Sequence, residues 1–284
     1  MLLIGGIQAG NKSNMKEKKY GVIWAPTSNI GDDIQTLAAI NFLNKKGVKD
    51  FSLINRESLD NYDGEPINVI MNGWFLHASK RFPPSSKINP IFLSFHVQKD
   101  CLDLVKNNKF YFKKHEPIGC RDQATVDLFI KHGIDAYFTG CLTLFFDPVN
   151  NNDGKKYLVD VNSSCTYIPD ININLELFDD FEIVEHDTFL SNQKIDITDR
   201  LELAQSFLNK YSSADLVVTT RLHCALPCRS LNTDCIFMHK RYESDPRFKG
   251  LQGVLNGATE YHNNTSPSKG ELEKIQKFFK SYKT

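Results

Sequence analysis

The chain has 284 residues, enough for two domains of ordinary size, and 41% of them are hydrophobic, which allows a sizeable core. Lysine plus arginine and aspartate plus glutamate both number 34, and this zero net charge argues against a nucleic-acid-binding scaffold or a polybasic membrane binder. Seven cysteines, an odd number without regular spacing, favour a reducing compartment, so we predict a cytoplasmic protein.

The first 18 residues are expected to form a tail or a loose edge segment. Their apolar run is too short to span a bilayer, and the basic cluster at residues 16–19 follows that run, whereas in a signal peptide it would precede it. No later stretch has enough uninterrupted apolar residues to cross a membrane. The sequence therefore predicts a soluble protein without a transmembrane segment.

The first clear unit is a strand, a loop and a helix. An apolar run predicts the strand at residues 21–25, and an apolar stripe predicts the helix at residues 32–46. Gly47 suits the position just beyond the helix, where a left-handed backbone is common.

Two acidic residues, Asp32 and Asp33, open that helix. Carboxylates at this position stabilise the helix dipole but repel a phosphate bound at the same place. The corner formed by Asn29, Gly31, Asp32 and Asp33 is therefore predicted to bind hydroxyl groups or to supply a general base. An ordinary acidic helix cap also explains these residues.

Further strands are predicted at residues 51–54, 67–71 and 91–95. The second is expected to end in a turn at Asn72-Gly73-Trp74, where a backbone can approach a ligand, so Asn72 is a candidate binding residue. The third is followed by His96, a second candidate, although a lone histidine in such a place is more often structural.

After a short helix predicted at residues 101–108, residues 115–133 repeat the architecture of the opening unit. Residues 117–120 lead into Arg121, and Asp122 is a good N-cap for a helix that Gly133 ends. Arg121 is therefore expected to lie at the amino end of a helix. A strand is predicted next, at residues 137–139.

A polar segment rich in turn-forming residues, 147–154, predicts the domain boundary. We expect one domain at residues 1–150 and a second at residues 151–284. In the second, strands are predicted at residues 157–161, 181–185 and 235–238, with a helix capped by Thr198 between the last two. A final helix at residues 271–282 is expected to pack back on the junction.

Residues 214–231 contain the most informative junction. An apolar strand at residues 216–218 is followed by Thr220, Arg221, Leu222 and His223, and then by a helix at residues 224–231. Pro227 is tolerable only near the first turn of that helix. A fixed cation and a titratable ring at the carboxyl end of a strand predict an anion site. The simpler interpretation is that Arg221 pairs with a carboxylate and His223 caps the helix.

Arg121 and Arg221 occupy matching junctions, one in each half of the chain. Together they predict two faces of one anion site across a cleft. No metal and no cofactor are predicted. Cys224 and Cys228 lie beside His223, but the chain has no Cys-x-x-Cys pair. The glycine-rich loops of ATPases and dinucleotide-binding proteins are also missing from the sequence.

Three blocks of the chain resemble the signature blocks of the polysaccharide pyruvyltransferase family: Asn29-Ile30-Gly31-Asp32, Gly119-Cys120-Arg121-Asp122 and Thr220-Arg221-Leu222-His223. Their order and spacing match over most of the chain. The resemblance implies an α/β fold of two Rossmann-like domains facing across a cleft, as in GT-B proteins. It also implies transfer of a pyruvyl group from phosphoenolpyruvate to sugar hydroxyls of a glycan, forming a ketal. The family often has a glycine triplet where this chain has Asn72-Gly73-Trp74.

The resemblance puts Arg121, Arg221 and His223 on positions that bind phosphoenolpyruvate or take part in catalysis, with Thr220 and Leu222 as neighbouring binding candidates. Arginine offers bidentate contacts to both the carboxylate and the phosphate of this donor. His223 is expected to protonate the methylene carbon, and Asp32 or Asp33 to accept the sugar hydroxyl proton. We assign the acceptor to the N-terminal domain and the donor to the C-terminal domain.

Two alternatives stay open at this point. One is a GT-B-type glycosyltransferase, in which the arginines would hold the diphosphate of a nucleotide sugar. The other is a non-catalytic sugar- or anion-binding module on the same frame. All three functions need cations in a cleft, and fold alone does not decide among them. The acceptor sugar and the oligomeric state are left open.

Overall fold

The computed structural model describes residues 19–75, 81–98, 102–149, 152–161, 180–186, 195–239 and 244–257. Two sheets form its framework, and every strand pair in these ranges is parallel. The protein is therefore a mixed α/β protein with parallel sheets, which agrees with the Rossmann-like prediction. The GT-B arrangement and the division into two domains remain predictions.

The first sheet has six strands in the order β2-β1-β3-β4-β5-β6. They are β1 (Tyr20–Trp24), β2 (Ser52–Asn55), β3 (Ile67–Phe75), β4 (Ile88–Val97), β5 (Ile118–Cys120) and β6 (Ala136–Phe138). The second has four strands in the order β10-β9-β7-β8. They are β7 (Lys156–Val159), β8 (Glu182–Val184), β9 (Leu216–Thr219) and β10 (Cys235–Phe237).

The α-helices of the described residues are α1 (Ile30–Lys45), α2 (Leu102–Asn107), α3 (Lys109–Lys114), α4 (Gln123–Lys131), α5 (Ile197–Ser213), α6 (Leu222–Leu231) and α7 (Gln252–Gly257). Short 3₁₀ helices span Arg56–Asn61, Leu142–Phe145 and Pro246–Phe248. No helix among the described residues is both long and apolar enough to cross a bilayer.

Both sheets reverse their strand order at a defined place. In the first, β2 lies on one side of β1 and β3 on the other; in the second, β8 and β9 flank β7 in the same way. Open parallel sheets bind ligands outside the carboxyl ends of the strands at such a switch point. The residues that follow β1, β7 and β9 are therefore in favourable positions for a site.

Helix α1 packs into the cores of both halves. Ile30 and Ile34 join the apolar cluster around the second sheet, which includes Val217, whereas Ala38 and Leu43 join a cluster with the first sheet. The first turn of α1 therefore lies where the two halves meet. The segment predicted as the boundary, residues 147–154, lies between β6 of the first sheet and β7 of the second.

Most predicted elements are present, with differences at their ends. The predicted turn at Asn72-Gly73-Trp74 is wrong, because these residues lie inside β3. Gly73 has φ +94°, and the register of β3 against β4 shifts between Met71 and Gly73. A glycine of this kind marks a β-bulge as readily as a turn.

Three helix boundaries also differ from the predictions. Helix α1 starts at Ile30 rather than Asp32, and α5 is capped by Asp196 rather than Thr198. Helix α6 starts at Leu222, two residues early. Helices α3 and α7 were not predicted. The expected tail at residues 1–18 and the expected final helix at residues 271–282 lie outside the described residues.

Candidate active site

The residues that follow the switch-point strands of both sheets line one cleft, whose empty space, including open solvent at its mouth, is about 620 Å³. The first half contributes Asn29, Gly31, Asp32, Trp74 and Arg121. The second half contributes His186, Thr220, Arg221, Leu222, His223, His239, Arg247 and Phe248. Arg121 and Arg221 therefore lie at the same cleft, although a hundred residues separate them in the chain.

Arg121 is held at the junction of β5 and α4. Its backbone N–H donates to the Phe95 carbonyl at 2.9 Å, and Asp122 caps α4 by accepting from the Thr125 N–H at 2.9 Å. The Arg121 side chain is only 2% exposed, yet its Nε has no hydrogen-bond partner among the described residues. The Asp122 carboxylate lies 3.8 Å from this Nε, beyond hydrogen-bond distance. A buried guanidinium donor without a hydrogen bond is costly unless a ligand supplies one.

Arg221 is held by an acidic partner on the neighbouring strand end. Its Nε donates to Oδ2 of Asp160 at 2.5 Å. Asp160 follows β7 with φ +52°, and its Oδ1 accepts from the His186 N–H at 3.0 Å. The pairing of Arg221 with a carboxylate, which the sequence left as an alternative, is therefore present. The pair fixes the guanidinium at the cleft wall rather than removing it from the cleft.

His223 lies in the first turn of α6, and the backbone departs from helical geometry there, with φ −84° and ψ 19°. Pro227 supplies the reason, because a proline inside a helix clashes with the carbonyl of the residue four positions earlier. His223 does not cap the helix, since the N-cap residue is Arg221. The His223 Nε2 is buried and has no hydrogen-bond partner among the described residues.

Burial and nearby positive charge both favour the neutral form of the His223 ring in the free protein. Burial lowers the pKa of His223 well below its usual range, and the nearby cations Arg121 and Arg247 lower it further. An anion bound among these arginines would oppose the second effect and favour the imidazolium.

Asn29 and Gly31 shape the amino end of α1. The Asn29 side chain caps the helix by accepting from the Gly31 N–H at 3.0 Å. Gly31 packs against His223, and a β-carbon added there would lie 3.0 Å from the His223 Nδ1. Gly31 therefore makes room for the histidine.

Asp32 and Asp33, adjacent in sequence, have different environments. Asp32 lines the cleft, and its Oδ2 accepts from the Thr27 hydroxyl at 2.7 Å. Asp33 is fully buried outside the cleft and forms a bidentate pair with Arg200, at 3.1 and 2.7 Å. Burial raises the pKa of Asp33 to about 6, against the lowering effect of Arg200. Asp33 thus links α1 to α5 and has no contact with the cleft.

Two other predicted binding residues also lie outside the cleft. His96 is buried, with its Nδ1 2.5 Å from Oδ2 of Asp122. Asn72 donates through Nδ2 to the Gln35 carbonyl at 3.0 Å and lines a separate recess. Both residues sit inside extended strands, so their side chains follow the sheet faces rather than a ligand-binding turn.

Five cleft residues were missed by the sequence predictions: Trp74, His186, His239, Arg247 and Phe248. Arg247 is the most consequential, because it adds a third arginine. Asp245 caps the 3₁₀ helix and holds the guanidinium with Nη2 at 2.6 Å from Oδ2. Its Asp-Pro-Arg sequence is a local capping signal, but nothing in it indicates a position near His223. Among the described residues, no group of three or more His, Cys, Asp or Glu side chains is arranged to hold a metal ion.

Comparison with known proteins gives one family and a shared fold. A family model described as polysaccharide pyruvyl transferase matches residues 29–238, a range that contains ten of the thirteen residues lining the cleft. A solved structure of a functionally uncharacterized protein from Klebsiella pneumoniae subsp. pneumoniae has a TM-score of 0.53 and 16% identity, over 88% of this chain and 94% of that chain. At this identity the likeness shows the fold alone. No curated protein gives a significant match.

Proposed function

Because this chain belongs to the polysaccharide pyruvyl transferase family, we propose that it transfers a pyruvyl group from phosphoenolpyruvate to sugar hydroxyls of a glycan, forming a ketal. The observation that carries the proposal is the convergence of Arg121, Arg221 and His223 on one cleft. Two buried nitrogen atoms there, Nε of Arg121 and Nε2 of His223, have no hydrogen-bond partner within the described part of the chain. Buried polar atoms without partners are rare in folded proteins and are completed by a ligand or water.

Phosphoenolpyruvate carries two anionic groups, a phosphate and a carboxylate, and the cleft offers three arginines. Guanidinium groups bind both kinds of anion with paired, directional hydrogen bonds. Arg121 and Arg221 act as the anchors in this proposal. Arg247, held by Asp245, adds positive charge beside them. Thr220 and Leu222 complete the wall around the donor.

His223 is the general acid in this scheme. It donates a proton to the methylene carbon of the enol while a sugar oxygen bonds to the adjacent carbon. Asp32, whose carboxylate lines the same cleft, accepts the proton of the attacking hydroxyl. Phosphate then leaves, and the second hydroxyl closes the ketal with loss of its own proton. Each proton that leaves a hydroxyl balances one gained by the methylene carbon or by the departing phosphate.

The two sheets facing this cleft support a GT-B-like arrangement with a boundary near residues 147–154. We assign residues 1–150 to the acceptor side, because Asp32 belongs to that half, and residues 151–284 to the donor side. Arg121 belongs to the first half and contacts the donor from the other side of the cleft. Cys120, Cys141, Cys224, Cys228 and Cys235 are free and buried, which fits a cytoplasmic location.

A ligand screen tests the donor assignment. Thermal unfolding is measured with phosphoenolpyruvate, several nucleotide sugars and free nucleotides. A ligand at a hundred times its dissociation constant stabilises a protein by about 2.7 kcal/mol, so binding is readily detected. We expect stabilisation by phosphoenolpyruvate. Stabilisation by a nucleotide sugar alone would transfer the assignment to a glycosyltransferase.

A further inference from the structure

A polar recess adjoins the cleft on the far side of Asp32. It lies at the carboxyl ends of β1 and β2 and beside the bulge in β3, and Asp32 lines both spaces. Its empty volume is about 210 Å³ including the mouth. Its walls are formed by Ile23, Trp24, Ala25, Asp32, Gln35, Thr36, Arg56, Asn72 and Gly73. The recess therefore borders the cleft at Asp32, at the switch point of the first sheet.

Three buried polar atoms of this recess lack hydrogen-bond partners among the described residues. They are Oε1 of Gln35, Nη2 of Arg56 and Oδ1 of Asn72. The three residues are only 3%, 8% and 5% exposed. Each such atom costs free energy when it is buried unsatisfied, and three together in one recess indicate that something polar completes them.

Neighbouring groups fix which atom of each amide is the acceptor. The Gln35 Nε2 donates to Oδ1 of Asp32 at 3.2 Å and to the Gly31 carbonyl at 3.4 Å, both of which are acceptors only. The Asn72 Nδ2 donates to the Gln35 carbonyl. Turning either amide over would place oxygen against oxygen. The recess therefore offers two acceptors, and Arg56 adds one donor.

The charges around the recess disfavour a charged occupant. Arg56 lies 3.8 Å from Asp32 and 2.8 Å from Glu57, so its single positive charge faces two carboxylates. A bound anion would be repelled by these carboxylates and by both amide oxygens. A bound cation would be repelled by the guanidinium, whose free Nη2 donor faces the recess. A hydroxyl group carries no charge; its oxygen accepts from the guanidinium, and its single proton is donated to one of the two amide oxygens, which leaves the other oxygen for a neighbouring hydroxyl or a water molecule.

We propose that this recess binds a hydroxyl-bearing group of a neutral sugar in the glycan acceptor. That group lies next to the hydroxyl whose proton Asp32 accepts. The identification of that sugar as the acceptor rests on the proposed function; the recess itself is argued from its unpaired atoms. Its small size admits a hydroxyl group rather than a whole ring. Arg56, Gln35 and Asn72 then select the acceptor and take no part in proton transfer.

The test measures equilibrium binding of methyl glycosides of the common neutral hexoses to the full chain. Ligand-observed NMR finds the glycosides that bind, and calorimetry gives their dissociation constants. Each one that binds is compared with its monodeoxy analogues and with the matching uronate. The variants are Arg56→Lys, which keeps the charge but loses the Nη2 donor, and Asn72→Ala, which loses the free acceptor. Arg81→Lys is the matched control, because Arg81 donates to the Glu57 carbonyl but does not line the recess.

We expect at least one glycoside to bind to the wild type, and one of its deoxy analogues to bind at least tenfold more weakly. Both recess variants should bind the parent glycoside at least tenfold more weakly than the wild type does. They should also bind it no more tightly than that deoxy analogue. Arg81→Lys should change neither value. The midpoint of thermal unfolding and the affinity for phosphoenolpyruvate show whether each variant is folded. If Arg56→Lys is not folded, the test relies on Asn72→Ala.

Three results would overturn the recess assignment. The first is that no glycoside binds, and the second is that the uronate binds more tightly than the neutral parent through Arg56. The third is that the variants lower the affinity for the parent glycoside and for all its deoxy analogues by the same factor. The last would mean that only an ordered water occupies the recess. Glycoside binding with the expected variant pattern, but without phosphate release from phosphoenolpyruvate, would refute the proposed transfer and leave the recess assignment standing.

Discussion

Gly31 on α1 lies directly against His223 on α6, so the two halves of the protein meet at the proposed acid. A β-carbon built on Gly31 would lie 3.0 Å from Nδ1 and 3.1 Å from Cβ of His223. Contacts that short force the ring to move. The family block that begins at Asn29 therefore contributes to the site by shape as well as by polar groups.

Gly31→Ala should lower phosphate release from phosphoenolpyruvate about tenfold or more, because small displacements of a catalytic group cost large factors in rate. Donor affinity, measured by calorimetry, should change much less. Gly253→Ala is a control, since a β-carbon there meets nothing within 4 Å. Equal rates for Gly31→Ala and Gly253→Ala would show that the contact does not position His223.

The pKa of His223 should rise when phosphoenolpyruvate binds. In the free protein, burial and the nearby arginines lower the pKa of this group. A bound dianion offsets the arginines and stabilises the protonated ring. The measurement is an NMR titration of the histidine ring protons with and without phosphoenolpyruvate, with His223→Gln to assign the signal. A pKa that falls or stays unchanged on binding would exclude His223 as the proton donor.

Arg200→Ala should destabilise the protein by about 3–5 kcal/mol, because it leaves a buried carboxylate without its cation. The pKa of Asp33 is already raised to about 6 and should rise further in the variant. Both proteins hold the proton at pH 5, whereas at pH 8 the wild type ionises Asp33 against Arg200 and the variant cannot. The loss in unfolding free energy should therefore be larger at pH 8 than at pH 5.

Urea unfolding at the two pH values measures this difference. The double variant Arg200→Ala, Asp33→Asn is the control, because its buried group is neutral at both pH values. A loss that is the same at pH 5 and pH 8 would mean that Asp33 does not ionise in the folded protein.

His223→Gln and Arg221→Lys should separate catalysis from binding. A glutamine cannot donate a proton to carbon, so turnover should fall by roughly a hundredfold or more while donor affinity stays nearly intact. A lysine cannot reproduce the planar fork that binds both the donor and Asp160, so donor binding should weaken. Calorimetry and phosphate release measure the two effects. Near-normal turnover in His223→Gln would refute its role as the acid.

Local signals in the sequence predicted the junctions of the site. Asp122 as the cap of α4 and the strand–helix junction at Arg221 and His223 depend on residues close in the chain, and both are present. The bulge at Gly73 was mistaken for a turn, because a positive φ serves either structure.

Contacts between distant parts of the chain were not predictable in the same way. Asp160 and Arg221 lie 61 positions apart, and Asp33 and Arg200 lie 167 apart. Nothing local to Asp33 distinguishes it from Asp32, and only the packing of α1 against α5 turns one carboxylate away from the cleft. Arg247 likewise reaches the cleft through the fold and not through any motif.

The most direct measurement is product analysis after incubation of the full chain with phosphoenolpyruvate and a neutral glycan acceptor. Phosphate release is followed in solution, and the glycan is analysed by mass spectrometry and NMR. We predict one pyruvyl ketal on the glycan for each phosphate released, with both signals lost together in His223→Gln. Transfer of a sugar from a nucleotide sugar to the same acceptor, with phosphoenolpyruvate left intact, would contradict the account.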